Sequence, residues 1–240
     1  MIDGETGGDS RTLSLDVGGS GIKGMVLDLD GNPLNKKIRI RTPRPATPQS
    51  VLRTIAKVVA RQPEFNRVSV GFPGVVEFGV VKTAPNLDGD WSEVPLADEI
   101  ERLTGKPCRA ANDADVQGYG AIEGIGVEMV LTLGTGMGSA IFSNGHLVPN
   151  LELGHHPFAE GKTYEDLVGD AVRKEFGKTL WQRSVRKVIN QILPIWNPRR
   201  LYLGGGNATK LKMKLPDTVR IIPNITGILG GIRLWEDEGH

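Results

Sequence analysis

Apolar and polar positions along this chain fall into stretches that read alternately as strands and helices. TLSLDVG (12–18) and IKGMVLDLDGNPL (22–34) read as two strands, the second ending in an Asp30-Gly31 turn, and KKIRIRT (36–42) alternates like a third. The chain therefore opens as a β-meander. The proline-rich TPRPATP (42–48) breaks it, and Thr47-Pro48 starts a helix with Pro48 near its first position. In SVLRTIAKVVARQ (50–62) the apolar residues recur at helical spacing. RVSVGFPGVV (67–76) returns to strand and turn. PLADEIERLTGKP (95–107) is a helix stopped by Gly105 and Pro107, and residues 108–124 are a short strand leading into a helix.

The order then repeats. VLTLGTGMGSAIF runs a strand into a glycine loop, and SAIFSNGHLV is a strand with an Asn144-Gly145 turn. Helical patterns follow over 164–176 and 180–196, RRLYLGGG (199–206) is a strand into glycine, and 218–224 is another strand. Residues 226–235 form a closing helix. Strands alternating with helices give an α/β architecture. A meander followed by β–α alternation, occurring twice, predicts two similar lobes facing across a central cleft. The expected N-terminal lobe is 11–112, completed by the closing helix 226–235. The expected C-terminal lobe is 113–225, and residues 1–10 are expected to form a flexible leader.

Composition narrows the class. Glycine accounts for 32 of 240 residues, well above the usual ~7%, and gathers at strand ends, which argues for shaped loops. No apolar run approaches the roughly 18 residues that span a bilayer, and MIDGETGGDSR lacks the apolar core of a secretory signal. Cys108 is the only cysteine, which excludes an intrachain disulfide and any multi-cysteine zinc site, and fits a reducing cytoplasm. The net charge of +1 conceals an asymmetry: residues 173–214 carry eleven Lys/Arg against one acid, Glu175.

Two glycine loops after strands carry the chemistry. The first offers Asp16, Gly18, Gly19, Ser20, Gly21 and Lys23: a carboxylate for a metal ion or its water, backbone N–H groups and a hydroxyl for phosphate oxygens, and a cation beside them. The second offers Gly134, Thr135, Gly136, Gly138 and Ser139 but lacks the Gly-Lys-Ser/Thr ending of a P-loop. A third cluster, Gly204, Gly205 and Gly206, either lets a nucleotide or polyphosphate end approach the backbone or simply ends a strand. Asp113, where strand turns to helix, is a candidate general base for a sugar hydroxyl; its bland alternative is a helix cap. Asn112 can donate and accept to neighbouring hydroxyls. Glu152 and His155 can together bind a vicinal diol, and GFPG (71–74) and Asn86 can line the same pocket.

In this order, LDVGGSGIKG, GFPGVV, GVVKTAPNL, NDAD, LTLGTGMGSAIF, ELGH and LYLGGG resemble the ROK family of sugar kinases (repressor, open reading frame, kinase) over about residues 13–235. The wording of the motifs looks closest to the polyphosphate glucokinases of that family. The resemblance implies the two-lobed actin-like ATPase (ribonuclease H-like) fold and phosphoryl transfer to the 6-hydroxyl of glucose. It makes Asp113 the general base, and Asn86, Asn112, Glu152, His155 and Glu165 the sugar contacts, with Gly74 of the GFPG turn expected to line the same pocket. It implies Mg²⁺ held indirectly by Asp16, and a homodimer. The cysteine-rich zinc motif of many members is missing after Glu152-x-Gly-His155, so no structural zinc is expected. No helix-turn-helix precedes the first loop, which argues against the repressor branch. Inorganic polyphosphate, ATP or both remain open as donor. The basic segment 173–214 suits a polyanion, and the absence of a stacking or recognition motif argues against nucleic acid. The alternatives are an ATP-dependent kinase for mannose or N-acetylmannosamine and a non-catalytic sugar sensor.

Overall fold

The computed structural model describes residues 10–159, 161–223 and 225–236. Apart from Ser10, the expected leader lies outside them. The chain divides into two compact units, one running to Ala111 and resuming at Gly231, the other Asn112–Gly230. The closing helix is thereby shared between them.

In the first unit, β1 (Thr12–Gly18), β2 (Gly21–Leu27) and β3 (Ile38–Ile40) form the antiparallel meander. Helix α1 (Pro48–Val59) and strand β4 (Arg67–Phe72) follow, then a small hairpin of β5 (Val76–Glu77) and β6 (Val80–Val81), helix α2 (Leu96–Thr104) and β7 (Cys108–Asn112). The sheet order is β3-β2-β1-β4-β7, and β4 lies parallel to β1. Thr47 caps α1 through its side chain with Pro48 in the first turn, as the sequence predicts. Leu13, Leu15, Ile22, Ile55 and Phe72 are fully buried in one core. Each such side chain contributes about 1.5–3 kcal/mol of burial. Trp235 lies between the guanidinium groups of Arg67 and Arg109, 5.1 and 5.0 Å from the ring centre. Its indole N–H donates to Ser69 at 2.8 Å, fixing Trp235 on this unit.

The second unit repeats the plan. It holds α3 (Asp113–Tyr119), β8 (Val127–Leu133), β9 (Met137–Ser143), β10 (His146–Val148) and a 3₁₀ turn at Leu153–His155. A hairpin of β11 (Pro157–Ala159) and β12 (Lys162–Thr163) leads to α4 (Tyr164–Val168) and α5 (Asp170–Trp196). Then come β13 (Arg200–Gly204), β14 (Val219–Ile221) and α6 (Thr226–Arg233). The sheet order β10-β9-β8-β13-β14 matches the first sheet strand for strand. In α5, Trp181, Val185, Val188, Ile189 and Ile192 recur on one face and are buried.

The helix expected over 164–176 is broken. Gly169 is extended (φ −61°, ψ 162°) and separates α4 from α5. The Asp170 N–H there turns to the carbonyls of Gly134 and Thr135, both at 3.1 Å. Within α5, Gly177 is non-helical (φ 80°). No helix among the described residues is long and apolar enough to cross a membrane.

Candidate functional site

The first glycine loop is the two-residue turn of the β1–β2 hairpin, where Gly18 pairs with Gly21 and Asp16 stands opposite Lys23. Lys23 Nζ donates to Asp16 Oδ2 at 2.5 Å, both side chains largely shielded. The cation assigned to phosphate therefore sits on the carboxylate assigned to the metal. The sequence reading missed two further cations at this turn. Arg39, beside Lys23 on β3, donates to Ser20 O at 3.0 Å, and Arg44 donates to Gly19 O at 3.3 Å. Thr42 Oγ1 donates to Gly18 O at 2.5 Å. The turn's carbonyls are thus tied back by basic side chains, and the signal for them was the Lys/Arg spacing of KKIRIRTPR. In the same unit, the Gly74 N–H donates to Phe72 O at 3.0 Å, and Asn86 is half-buried in the loop after β6.

In the second unit Asn112 ends β7 and caps α3. Its Oδ1 accepts the Ala114 N–H at 2.8 Å, and its Nδ2 donates to Glu152 Oε1 at 3.1 Å. The capping role weighed for Asp113 is filled by its neighbour, which leaves Asp113 in the first turn of the helix. The other Glu152 oxygen lies 3.3 Å from His155 Nε2. Burial pushes the Glu152 carboxyl above its ordinary value, with His155 opposing and the charge of Glu165 adding to the rise. Asn112, Glu152, His155 and Glu165, proposed from scattered motifs, are brought together.

The glycine loop at 134–136 joins β8 to β9 next to this cluster. Glu165 Oε2 accepts the Met137 N–H at 3.0 Å, and a side chain on Gly136 would place its Cβ 1.9 Å from that oxygen. Gly138 donates its N–H to Thr132 Oγ1 at 3.1 Å, and the Gly134 N–H is taken by Gly136 O at 3.0 Å. Among the described residues this leaves the amides of Thr135 and Gly136 uncommitted, beside the exposed Thr135 hydroxyl. The loop carbonyls are anchored instead: Asn207 Nδ2 donates to Gly134 O at 3.0 Å and to Asp170 Oδ1 at 3.1 Å. Asp170 also binds Arg173 and Lys174, at 2.6 and 2.7 Å. Hydrogen bonds from Lys174, Arg173 and Asn207 hold its carboxyl well below the usual range.

Gly205 adopts φ 80°, and its position would bring a Cβ within 2.4 Å of Leu133 O. The third glycine cluster therefore lies against the start of the second loop. The basic segment does not form one track. Arg173, Lys174 and Lys210 gather near the loop, Lys210 on Asn207 Oδ1 at 2.6 Å. Arg199 and Arg200 lie at the opposite end of β13, paired with Glu123.

Among the described residues no three of His, Cys, Asp and Glu gather to hold a metal ion by themselves. Magnesium usually binds through one or two carboxylates, several waters and substrate phosphates. A single carboxylate such as Asp16 fits that demand.

The chain matches the family model described as "ROK family" over residues 12–169. It is 38% identical to a polyphosphate glucokinase of Mycobacterium tuberculosis over 236 residues, covering 91% of this chain and 88% of that protein. Among solved structures, the inorganic polyphosphate/ATP-glucomannokinase of Arthrobacter sp. strain KM superposes with a TM-score of 0.84 at 33% identity, covering 93% of this chain and 97% of that one. A ROK family glucokinase from Streptomyces griseus, solved with glucose and AMPPNP, shares the fold with a TM-score of 0.77 at 20% identity, covering 94% and 99%. The chain belongs to the ROK family.

Proposed function

We propose that this protein is a hexose kinase that transfers a phosphoryl group from inorganic polyphosphate or ATP to the 6-hydroxyl of glucose. The observation that carries this reading is Glu152, held by Asn112 on one oxygen and facing His155 on the other, beside Asp113 in the first turn of α3. Glu152 and Glu165 accept from sugar hydroxyls, while Asn112 and His155 orient Glu152 and share its hydroxyl partners. Asp113 accepts the proton of the attacking hydroxyl, a contribution of roughly 10²–10⁴ in rate. Gly74 and Asn86 belong to the same reading as further sugar contacts.

Phosphoryl transfer needs positioning and charge neutralisation more than covalent help. Lys23, Arg39 and Arg44 at the first turn, and Thr135 with the open amides of the second loop, are assigned to donor phosphates. Gly204, Gly205 and Gly206 are assigned to the far end of the donor. Magnesium, held through Asp16 and the donor phosphates, would neutralise charge on the transferred group. Similarity to a polyphosphate glucokinase and to a polyphosphate/ATP-glucomannokinase supports both donors. The second of these names also favours mannose as an alternative acceptor. A homodimer in the cytoplasm completes the proposal.

A panel of glucose, mannose and N-acetylmannosamine, each with polyphosphate or ATP, tests it by following sugar 6-phosphate. Turnover of glucose with polyphosphate is expected. Turnover with ATP alone would refute the polyphosphate donor, and no turnover with any pair would refute the kinase.

A further inference from the structure

We propose that Asn207 is a positioning residue of the second glycine loop, locked with Asp170 into a clasp that fixes which way the loop's peptide groups face. Asn207 follows the third glycine cluster, just before a 3₁₀ turn at Ala208–Lys210, and is only 3% exposed. Its backbone N–H donates to Leu133 O at 2.9 Å. Its Nδ2 donates to Gly134 O at 3.0 Å and to Asp170 Oδ1 at 3.1 Å. Its Oδ1 accepts from Lys210 Nζ at 2.6 Å, which sets the orientation of the side-chain amide. Asp170 completes the clasp, its own N–H shared between Gly134 O and Thr135 O, both at 3.1 Å. Gly169 permits that approach, because a Cβ there would lie 2.9 Å from Thr135 O. The successive carbonyls of Leu133, Gly134 and Thr135 are thus held by two residues that also hold each other.

The consequence follows from the peptide bond. In a planar trans peptide the C=O and the N–H point in opposite directions. Holding the carbonyls of Gly134 and Thr135 on the side of Asn207 and Asp170 therefore turns the amides of Thr135 and Gly136 the other way. These are the loop amides that no group among the described residues takes. An anion is drawn to such N–H groups and repelled by carbonyl oxygens. The same loop with its peptides flipped would therefore turn away the phosphate it is proposed to hold. Gly134 and Gly136 flank Thr135 and offer little resistance of their own to that flip. The restraint comes from Asn207, which the third glycine cluster brings against the loop. Gly205 there has φ 80°, and a Cβ on it would lie 2.4 Å from Leu133 O, the carbonyl that Asn207 binds.

This inference rests on the reading that the second loop takes donor phosphates, and Thr135→Ala separates the two. KM for polyphosphate, for ATP and for glucose is measured on the full chain for wild type, Asn207→Ala, Asn207→Asp and Thr135→Ala, with glucose affinity followed by calorimetry. Asn207→Ala is expected to raise donor KM about tenfold, or about 1.4 kcal/mol, while glucose affinity stays within about threefold of wild type. Asn207→Asp keeps the size of the side chain but turns an acceptor on Gly134 O and Asp170 Oδ1, so it is expected to be at least as impaired. A residue that only fills space would tolerate that change. Donor KM within about threefold of wild type in either variant overturns the proposal, as does an equal loss of glucose affinity. Where neither variant folds, Asn207→Ser carries the test, because its side chain is polar but one bond too short to reach Gly134 O. A several-fold rise in donor KM supports the clasp, and unchanged donor KM overturns it. Donor KM raised in Thr135→Ala but not in Asn207→Ala refutes the clasp alone. Donor KM unchanged in both refutes the donor loop as well.

Discussion

The carboxylate of Glu165 occupies the space that a side chain on Gly136 would need. An added Cβ would lie 1.9 Å from Glu165 Oε2, the oxygen that accepts the Met137 N–H at 3.0 Å. The glycine loop and Glu165, the acid proposed for the sugar, are therefore built as one piece, and the absence of a side chain at 136 makes room for the Glu165 carboxylate.

Gly136→Ala should then act on the sugar. The obstructing atoms are the end of a flexible side chain, so the fold can yield by pushing Glu165 aside, at the cost of the Met137 hydrogen bond. We expect glucose KM to rise about tenfold or more, a loss of ~1.4 kcal/mol or more, with the melting temperature lowered only slightly. A variant that raises donor KM and spares glucose KM would assign Gly136 to the donor alone.

Glu152 gives a pH signature. Its carboxyl is held above the ordinary 4.5, by burial first. The acceptor form is therefore lost on acidification at a higher pH than for a free glutamate, and glucose KM should begin to rise there. Glu152→Gln should remove that acidic limb while raising KM at neutral pH. The folded chain holds this proton more tightly than the unfolded one, so ionisation costs stability as pH rises from 4.5 to the raised value. Glu152→Gln should accordingly not lower the melting temperature at pH 7. A pH profile of KM with an unshifted acidic limb in Glu152→Gln would assign the limb to another group.

Glu128 predicts a stability effect without a catalytic one. It is fully buried at the start of β8. Its oxygens accept the N–H groups of Glu123, Gly124 and Ile125 at 3.0, 2.7 and 3.1 Å and the Tyr202 hydroxyl at 2.8 Å. Bonds to a charged acceptor are worth about 1.5–3 kcal/mol each, and the donors left behind remain partly buried. Because removing the carboxylate also relieves the cost of burying it, Glu128→Ala should cost about 3 kcal/mol net, or roughly 6–12 °C in melting temperature for a chain of this size. The glycine loop begins at the other end of β8, so kcat/KM below the transition should stay within about twofold. A melting temperature equal to wild type would contradict this account of the turn.

Much of the architecture was legible because it rests on local signals. The meanders announce themselves by alternation and glycine turns, and α1 by its cap and its spaced Val51, Ile55 and Val58. The break at Gly169 was not legible, because Tyr164, Val168 and the residues beyond keep a helical rhythm. It arises from a demand made 35 residues earlier, when the carbonyls of Gly134 and Thr135 take the Asp170 N–H. Site residue types could be read from the motifs, but their pairings could not. Lys23 could be proposed for phosphate from its motif, but only the hairpin register shows that it pairs with Asp16. Asp113 carries a helix cap as its bland alternative until α3 begins with Asn112 as its N-cap. The even basic run 173–214 divides because β13 carries Arg199 and Arg200 to one end and Gly204 to the other.

The central claim is that Asp113 takes the proton from a glucose hydroxyl. Its most direct test is glucose 6-phosphate formation by wild type and Asp113→Asn with polyphosphate and with ATP, alongside glucose binding by calorimetry. The account predicts a kcat lowered by about 10²–10⁴ with both donors and glucose affinity within about tenfold of wild type. An Asp113→Asn enzyme that turns over at the wild-type rate would contradict it.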